Sequence, residues 1–150
     1  MATNKTAPMR PPGGAGYRWL RYAAWGYAIG MVVHGGDHAF RGLTGDHQHA
    51  MVPGSVQFVM GTLTLVISAL TVVLVSSGHR YASVAATGIG FGSAAVFLLI
   101  HMLPGWGPFN DSFMSAPSGS RVTAFSWVTA VVGISASVAL GLAGVRARRG

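Results

Sequence analysis

Two residue types are missing from this 150-residue chain: it contains no cysteine and no glutamate. Without thiols, the chain cannot hold an iron–sulfur cluster on thiolates, a cysteine zinc site or a disulfide, and it cannot use thiol catalysis. The only carboxylate side chains are those of Asp37, Asp46 and Asp111. The chain also contains neither a glycine-rich phosphate loop nor a Gly-x-Ser-x-Gly nucleophile turn. These absences favour a role other than catalysis.

Charge is scarce as well. Charged residues make up 9% of the chain and hydrophobic residues 51%, whereas about a quarter of the residues of a soluble domain are charged. Residues 51–78, 81–105 and 122–145 contain no Asp, Glu, Lys or Arg. Each of these stretches is longer than the roughly 20 residues that cross a bilayer core as a helix. Three membrane-spanning helices are therefore predicted from length and composition.

A fourth stretch, residues 22–36, is shorter. It becomes long enough to span the bilayer if Arg18 and Arg21 extend their charged ends to the membrane surface. A cleaved signal peptide is the alternative, but no small-x-small cleavage pattern follows the stretch. The sequence thus predicts an all-α integral membrane four-helix bundle. The predicted parts are a disordered cytoplasmic tail at residues 1–16 and one transmembrane domain at 17–150, with spans at about 17–34, 55–76, 81–103 and 121–145.

The basic residues are unevenly distributed over the predicted loops. Arg41 and Arg121 lie on one side of the membrane, and the other eight lie on the opposite side. The positive-inside rule therefore predicts that both termini are cytoplasmic and that the protein is a multi-pass protein of the cell (plasma) membrane. Because the basic residues are divided among three short segments, no nucleic-acid surface is predicted. The eight cytoplasmic basic residues are Lys5, Arg10, Arg18, Arg21, Arg80, Arg146, Arg148 and Arg149.

Small residues recur at intervals that suit close helix packing. This spacing favours contacts inside the bundle over self-association or contacts with other membrane subunits. The lipid bilayer is the partner that the composition itself requires. The small-residue sets are Gly26/Gly30, Gly88/Gly92 and Gly133/Ser137/Gly141.

Histidines gather near the predicted outer surface. His34 and His38 are four residues apart, so a continuous helix places them on one face. His101, near the end of the third span, is expected at a similar depth because the two helices cross the same bilayer. His34, His38 and His101, with Asp37 as a fourth ligand or a supporting acceptor, are therefore candidate metal ligands. The loop residues His47 and His49 are alternatives.

Three interpretations of this group stay open. The simplest, and the one favoured here, is that these are interfacial histidines without a cofactor. The second is a Zn or Cu site. The third, a b-type haem held by His34 and His101, is less favoured because both residues are expected near helix ends. The glycine pair Gly35 and Gly36 argues against the metal site, since it can end the helix between the two histidines.

Two classes of function follow from these patterns. The favoured one is a structural or accessory subunit of a larger membrane assembly, which suits a small chain with glycine-rich helix faces. The alternative is a metal-binding or redox-active membrane protein that uses the outer histidines. A small channel or transporter is a weaker third option, because the predicted span interiors contain hydroxyl groups but no charged residue.

Overall fold

The computed structural model describes residues 15–44, 54–103, 111–116 and 118–149. Within that part of the chain every regular element is helical, and the all-α prediction is confirmed. Two short 3₁₀ turns, Phe113–Ser115 and Ser118–Ser120, precede the last helix. The main helices are α1 (Ala15–Thr44), α2 (Gly54–Ser76), α3 (Ala82–Phe97), which continues into a π-helical turn (Leu98–Met102), and α4 (Ala124–Arg149).

Three of the described helices are long and apolar enough to cross a membrane: α2, α3 with its π-helical turn, and α4. The count of four long helices agrees with the prediction. The helix α1 does not reach the same apolarity, because it contains Arg18 and Arg21 in its first half and two histidines, Asp37 and Arg41 in its second half. The predicted cytoplasmic tail lies almost entirely outside the described residues, except that Ala15 and Gly16 already belong to α1.

The largest difference from the predicted boundaries concerns α1. The first span was predicted to end at about residue 34, but α1 stays helical to Thr44. Each glycine inside a helix costs about 1 kcal/mol relative to alanine. The side-chain contacts that α1 makes beyond Gly36, described below, offset this cost. The start of α4 also differs, since Arg121 has a left-handed backbone (φ 54°) and α4 begins only at Ala124.

The helix α4 is the most enclosed of the candidate spans. In the most apolar 18-residue segment of α4, 44% of the residues are buried, compared with 17% in the corresponding segment of α2. It packs against both α1 and α3. An added Cβ at Gly90 of α3 would lie only 2.6 Å from the carbonyl oxygen of Ser137 and 2.8 Å from the Cα of Gly141. The two helices therefore meet backbone to backbone, which is possible only because these residues are small.

The predicted glycine pair of α3 does not belong to this interface. Gly88 and Gly92 are exposed, and an added Cβ at either would meet no atom within 4 Å. The same holds for Gly26, while Gly30 is buried against α4. The expectation that Gly88 and Gly92 pack inside the bundle is wrong, because the neighbouring Gly90, on the other face of α3, makes the contact with α4.

The two ends of the molecule differ in character. At one end, the Tyr17 hydroxyl donates to the Val75 carbonyl (2.6 Å) and the Arg21 guanidinium donates to the Ser76 carbonyl (3.1 Å). The start of α1 also lies beside Ala147, near the end of α4. Arg18 and Arg21 of α1, Arg80 of the α2–α3 turn and the arginines at the end of α4 therefore share this end. The opposite end holds His34, His38 and His101, together with Arg41.

Candidate metal centre

One face of the second half of α1 carries four residues with polar side chains. His34, Asp37, His38 and Arg41 follow the spacing i, i+3, i+4 and i+7, which places them on one side of an unbroken helix. The Nε2 atoms of His34 and His38 lie 3.0 Å apart. The helical conformation of Gly35 and Gly36 is what allows this approach, because a break there would turn His38 away.

His101 reaches the same point from α3. It lies in the π-helical turn, and such turns are frequent at functional sites because the wider ring changes the direction of a side chain. The Ile100 carbonyl accepts a hydrogen bond from the backbone N–H of Asp111 (3.1 Å), which ties the turn to the following segment. The Nε2 atom of His101 lies 3.1 Å from the Nε2 atom of His34. One potential ligand atom from each of the three histidines lies within 4.8 Å of the others.

Hydrogen bonds at the Nδ1 atoms of His34 and His101 determine which nitrogen of each ring carries the proton. Thr129 donates its hydroxyl hydrogen to the Ser126 carbonyl (2.9 Å), so it can only accept from Nδ1 of His34 (3.3 Å). Nδ1 of His101 lies 3.2 Å from the Asp111 carbonyl oxygen, which also only accepts. Both rings therefore carry their proton on Nδ1 and direct an Nε2 lone pair into the centre.

His38 is oriented differently. The Arg41 guanidinium, which has no acceptor atom, donates to Nδ1 of His38 (3.2 Å), so the neutral ring carries its proton on Nε2. That proton points to the Nε2 lone pair of His34. The Nε2 lone pairs of His34 and His101 then face each other at 3.1 Å with no hydrogen between them. A cation between these two nitrogens would remove the repulsion.

A buried ionic network surrounds the histidines. Arg41 donates to Asp37 through Nε (3.0 Å) and forms a two-bond pair with Asp111 through Nη1 (3.3 Å) and Nη2 (2.9 Å). The Ser126 hydroxyl donates to the second oxygen of Asp37 (2.9 Å). The side chains of all three charged residues are less than a tenth exposed. Two carboxylates and one guanidinium leave one negative charge (−2 + 1 = −1), which favours a nearby cation.

The structure brings His34, His38 and His101 together, as the sequence predicted, and metal binding itself stays a prediction. The oxygens of Asp37 are taken up by Arg41 and Ser126. His47 and His49 lie outside the described residues. A haem iron must lie between its two axial nitrogens within the plane of the macrocycle. The 3.1 Å contact between His34 and His101 leaves no space for that plane.

Four residues around the centre were not singled out from the sequence: Arg41, Asp111, Ser126 and Thr129. A signal did exist for Arg41, because Asp37 and Arg41 have the i, i+4 spacing of a helical ion pair. That signal depended on α1 continuing past Gly36. Asp111 is distant from α1 in sequence, and the hydroxyl residues of α4 resemble those of any other apolar span, so no local pattern identified them.

An apolar cavity of about 590 Å³ lies beside the histidines, between α1, α2 and α3. One end of it is polar and is lined by the three histidines and Asp111. Most of the wall is apolar, with Val56, Phe58 and Leu65 from α2 and Val96 and Ile100 from the α3 side. The buried residues of α2, such as Ser68 and Val75, lie in the second half of that helix. The first half of α2 therefore stands apart from α1, and the cavity lies between them.

Comparisons of the chain with protein-family models, with curated proteins and with solved structures find no match.

Proposed function

We propose that this chain is a multi-pass membrane protein that binds one zinc or copper ion through His34, His38 and His101. The observation that carries the proposal is the convergence of three Nε2 atoms, two of which have lone pairs directed inward by hydrogen bonds at Nδ1. Three imidazoles with an open fourth position are a common ligand set for Zn²⁺. Imidazole also suits copper.

The distances support a small ion. A tetrahedral zinc with Zn–N bonds of about 2.0–2.1 Å holds its nitrogens about 3.3–3.4 Å apart. The contacts of His34 with His38 and His101 are 3.0 and 3.1 Å, and the potential ligand atoms of all three residues lie within 4.8 Å of one another, so these spacings are similar to those around such an ion.

The role of His38 differs from that of the other two ligands. To bind through Nε2, His38 must move its proton to Nδ1, where Arg41 now donates. The Oδ2 atom of Asp111, 3.6 Å from Nδ1 of His38, is the nearest acceptor for that proton. We therefore assign His34 and His101 as the principal ligands and His38 as a weaker third ligand. The remaining negative charge of the Asp37, Arg41 and Asp111 network favours the ion electrostatically.

We also propose that the protein lies in the plasma membrane and that α1 crosses the membrane as a fourth span. Both termini are then cytoplasmic. The clustering of Arg18, Arg21, Arg80 and the arginines of α4 at one end of the molecule supports this orientation. Arg41 and Arg121 lie at the other end, and Arg41 is neutralised by two aspartates, so the balance of basic residues still favours this orientation. The metal centre then lies near the external surface.

A second candidate function is that of an accessory subunit in a larger membrane assembly. The outward-facing glycines support it, because Gly88 and Gly92 leave a flat, unoccupied strip along α3 where another helix can approach closely. Gly26 leaves a similar space on α1. The two functions are compatible, since a metal-binding subunit can also associate with partners.

The test of the metal proposal is an elemental analysis of protein purified from membranes without chelator, followed by chelator treatment and titration with Zn²⁺, Cu⁺ and Cu²⁺. We expect about one ion per chain and recovery of binding after the chelator is removed. The metal proposal is wrong if the purified protein holds less than a tenth of an ion per chain and takes up neither zinc nor copper saturably. In that case the histidines are only a hydrogen-bonded cluster.

A further inference from the structure

The arginines at one end of the molecule have no acidic partner among the described residues. The carboxylate side chains of that part of the chain are those of Asp37 and Asp111, and both form ion pairs with Arg41 at the opposite end. Charges of one sign gathered in this way attract an anionic partner. The exposed arginines of this end are Arg18, Arg21, Arg80, Arg146, Arg148 and Arg149.

Local contacts hold two of these arginines at the surface. The Arg21 guanidinium donates to the Ser76 carbonyl (3.1 Å) and lies over the ring of Tyr17, 5.6 Å from its centroid. Ser76 ends α2, and in the turn that follows the Arg80 guanidinium lies over the ring of Tyr81 at 4.5 Å. A guanidinium has five N–H donors, so Arg21 keeps donors for an external anion. Because both side chains are already held, an anion that binds them loses less conformational freedom.

The exposed face of α1 changes in character along the helix. It begins with two arginines, continues with two aromatic residues one turn later, and ends with two aliphatic residues seven positions after the aromatics. The aromatic and aliphatic members are between 55% and 67% exposed. Leu20, Ala24 and Tyr27, on the opposite face of the helix, are buried in the core. In chain order the exposed face consists of Arg18, Arg21, Tyr22, Trp25, Ile29 and Val32.

The same order occurs along a phospholipid molecule. Cationic side chains suit the phosphate, Trp and Tyr favour the headgroup boundary, and aliphatic side chains suit the acyl chains. The rise from Arg21 to Val32 is about 16 Å at about 1.5 Å per residue, which is close to half of a bilayer core about 30 Å thick. A free phosphate would contact only the arginines and leave the apolar part of the face uncovered. A lipid therefore fits this surface better than a soluble anion does.

We propose that this face of α1, together with Arg80 of the neighbouring turn, binds an anionic phospholipid. The phosphate lies at Arg18, Arg21 and Arg80, and an acyl chain runs along Ile29 and Val32. Guanidinium groups bind phosphate oxygens through paired hydrogen bonds. A zwitterionic lipid carries the same phosphate, but the surrounding arginines repel its ammonium group, so the site selects a headgroup of net negative charge. The inference rests on the proposed insertion of the chain in a membrane and is independent of the metal ion.

Exposed arginines on two helices provide a matched pair of variants. Arg18→Gln with Arg21→Gln removes two positive charges from the proposed site. Arg148→Gln with Arg149→Gln removes the same charge from the same end of the molecule, but from the last turn of α4. All four side chains are exposed, so the substitutions leave the core unchanged. A difference between the two double variants therefore reports the position of the charges and not their number.

The experiment is native mass spectrometry of the full chain in detergent, titrated with dioleoyl phosphatidylglycerol or dioleoyl phosphatidylcholine. We expect the wild type to bind its first phosphatidylglycerol at least about tenfold more tightly than phosphatidylcholine, roughly 1.4 kcal/mol. The α1 double variant should lose this preference. The α4 double variant should keep it to within about threefold, because exposed charges that do not contact the phosphate contribute little. Glycerol phosphate at the same concentration, which has no acyl chains, should not displace the lipid.

The inference is overturned if the wild type does not prefer phosphatidylglycerol or if the α1 double variant keeps the preference. Equal losses in the two double variants would also overturn it, since they would show a diffuse effect of net charge and no site on α1. Displacement of the lipid by glycerol phosphate would overturn it as well, because the arginines would then bind phosphate alone.

Two further measurements separate this inference from the proposed function. Both double variants leave His34, His38 and His101 in place, so their metal content should equal that of the wild type. The wild type reconstituted in liposomes should float with them after an alkaline wash, which tests membrane insertion. A chain that inserts but shows no lipid preference overturns the lipid inference alone, whereas a chain that does not insert overturns the membrane proposal together with it.

Discussion

His38 differs from His34 and His101 in the partner of its Nδ1 atom, which accepts a hydrogen bond from Arg41. Because this bond keeps the proton on Nε2, His38 must change its tautomer before it can bind a metal. We therefore expect His38→Ala to lower the affinity for Zn²⁺ less than either His34→Ala or His101→Ala does. Competition titrations with a zinc-binding dye give this order. Equal losses for all three variants would show that the Arg41 contact does not distinguish His38.

Arg41 also neutralises two buried aspartates. Replacement by methionine, Arg41→Met, leaves both carboxylates without their partner, and breaking a buried pair in this way costs about 3–5 kcal/mol. Denaturant unfolding in detergent should show a loss of this size. The control is Arg148→Met, an exposed position in the last turn of α4, where a change below about 0.5 kcal/mol is expected. A small effect at Arg41 would mean that water reaches the network.

The sequence predicted the histidines of the centre but not the residues that orient them. His34 and His38 share a helix face through simple periodicity, and the depth of His101 follows from helical rise. Asp111 could not be placed in the same way, because its position depends on the hydrogen bond to Ile100 and on a π-helical turn that no spacing rule indicates. Thr129 acquires its role only when α4 packs against α1.

Among the elements, the contact between α3 and α4 depends on one face of α3. An added methyl group at Gly90 would meet the Ser137 carbonyl at 2.6 Å, whereas one at Gly88 would meet nothing within 4 Å. We expect Gly90→Ala to destabilise the folded chain by about 1–3 kcal/mol through overpacking. Gly88→Ala, the same substitution two residues earlier, should be neutral or stabilising because alanine favours helix. Thermal unfolding in detergent compares them, and equal melting temperatures would contradict the observed packing.

The length of α1 shows where local propensity and tertiary contacts disagree. Gly35 and Gly36 suggested a helix end, yet the helix continues for eight residues beyond Gly36 to Thr44. The contacts of Asp37, His38 and Arg41 with α4 and the segment after α3 explain this result, because they form only if the helix is unbroken. By contrast, α2 matches its predicted bounds closely, since a continuous apolar stretch defines it without help from other elements.

For the whole molecule, the absence of cysteine makes the proposed orientation simple to test. Single cysteines at Thr44 and Ser118 should react with a membrane-impermeant thiol reagent in intact cells, and one at Ser77 should react only after the cells are lysed. The reason is that Ser77 lies in the turn at the arginine-rich end, which is proposed to be cytoplasmic. Labelling of Ser77 alone in intact cells would reverse the orientation and place the histidines inside.

The number of helices and the all-α class could be predicted from composition because a span needs only a long apolar stretch. The arrangement of the helices could not, because glycines occur on both faces of α3 and the sequence does not show which face meets α4. Gly90 was overlooked for this reason. The position of His34, His38 and His101 at the end opposite Arg80 and the arginines of α4 did follow from counting residues along each span.

The most direct measurement of the central claim is X-ray absorption at the zinc or copper edge of the metal-loaded, purified protein. We expect an ion whose inner shell contains two to three nitrogens at about 2.0–2.1 Å, with the outer-shell scattering of imidazole rings. The double variant His34→Ala, His101→Ala should lose this signal. An inner shell of oxygens without imidazole scattering, or an unchanged spectrum in the double variant, would contradict the account.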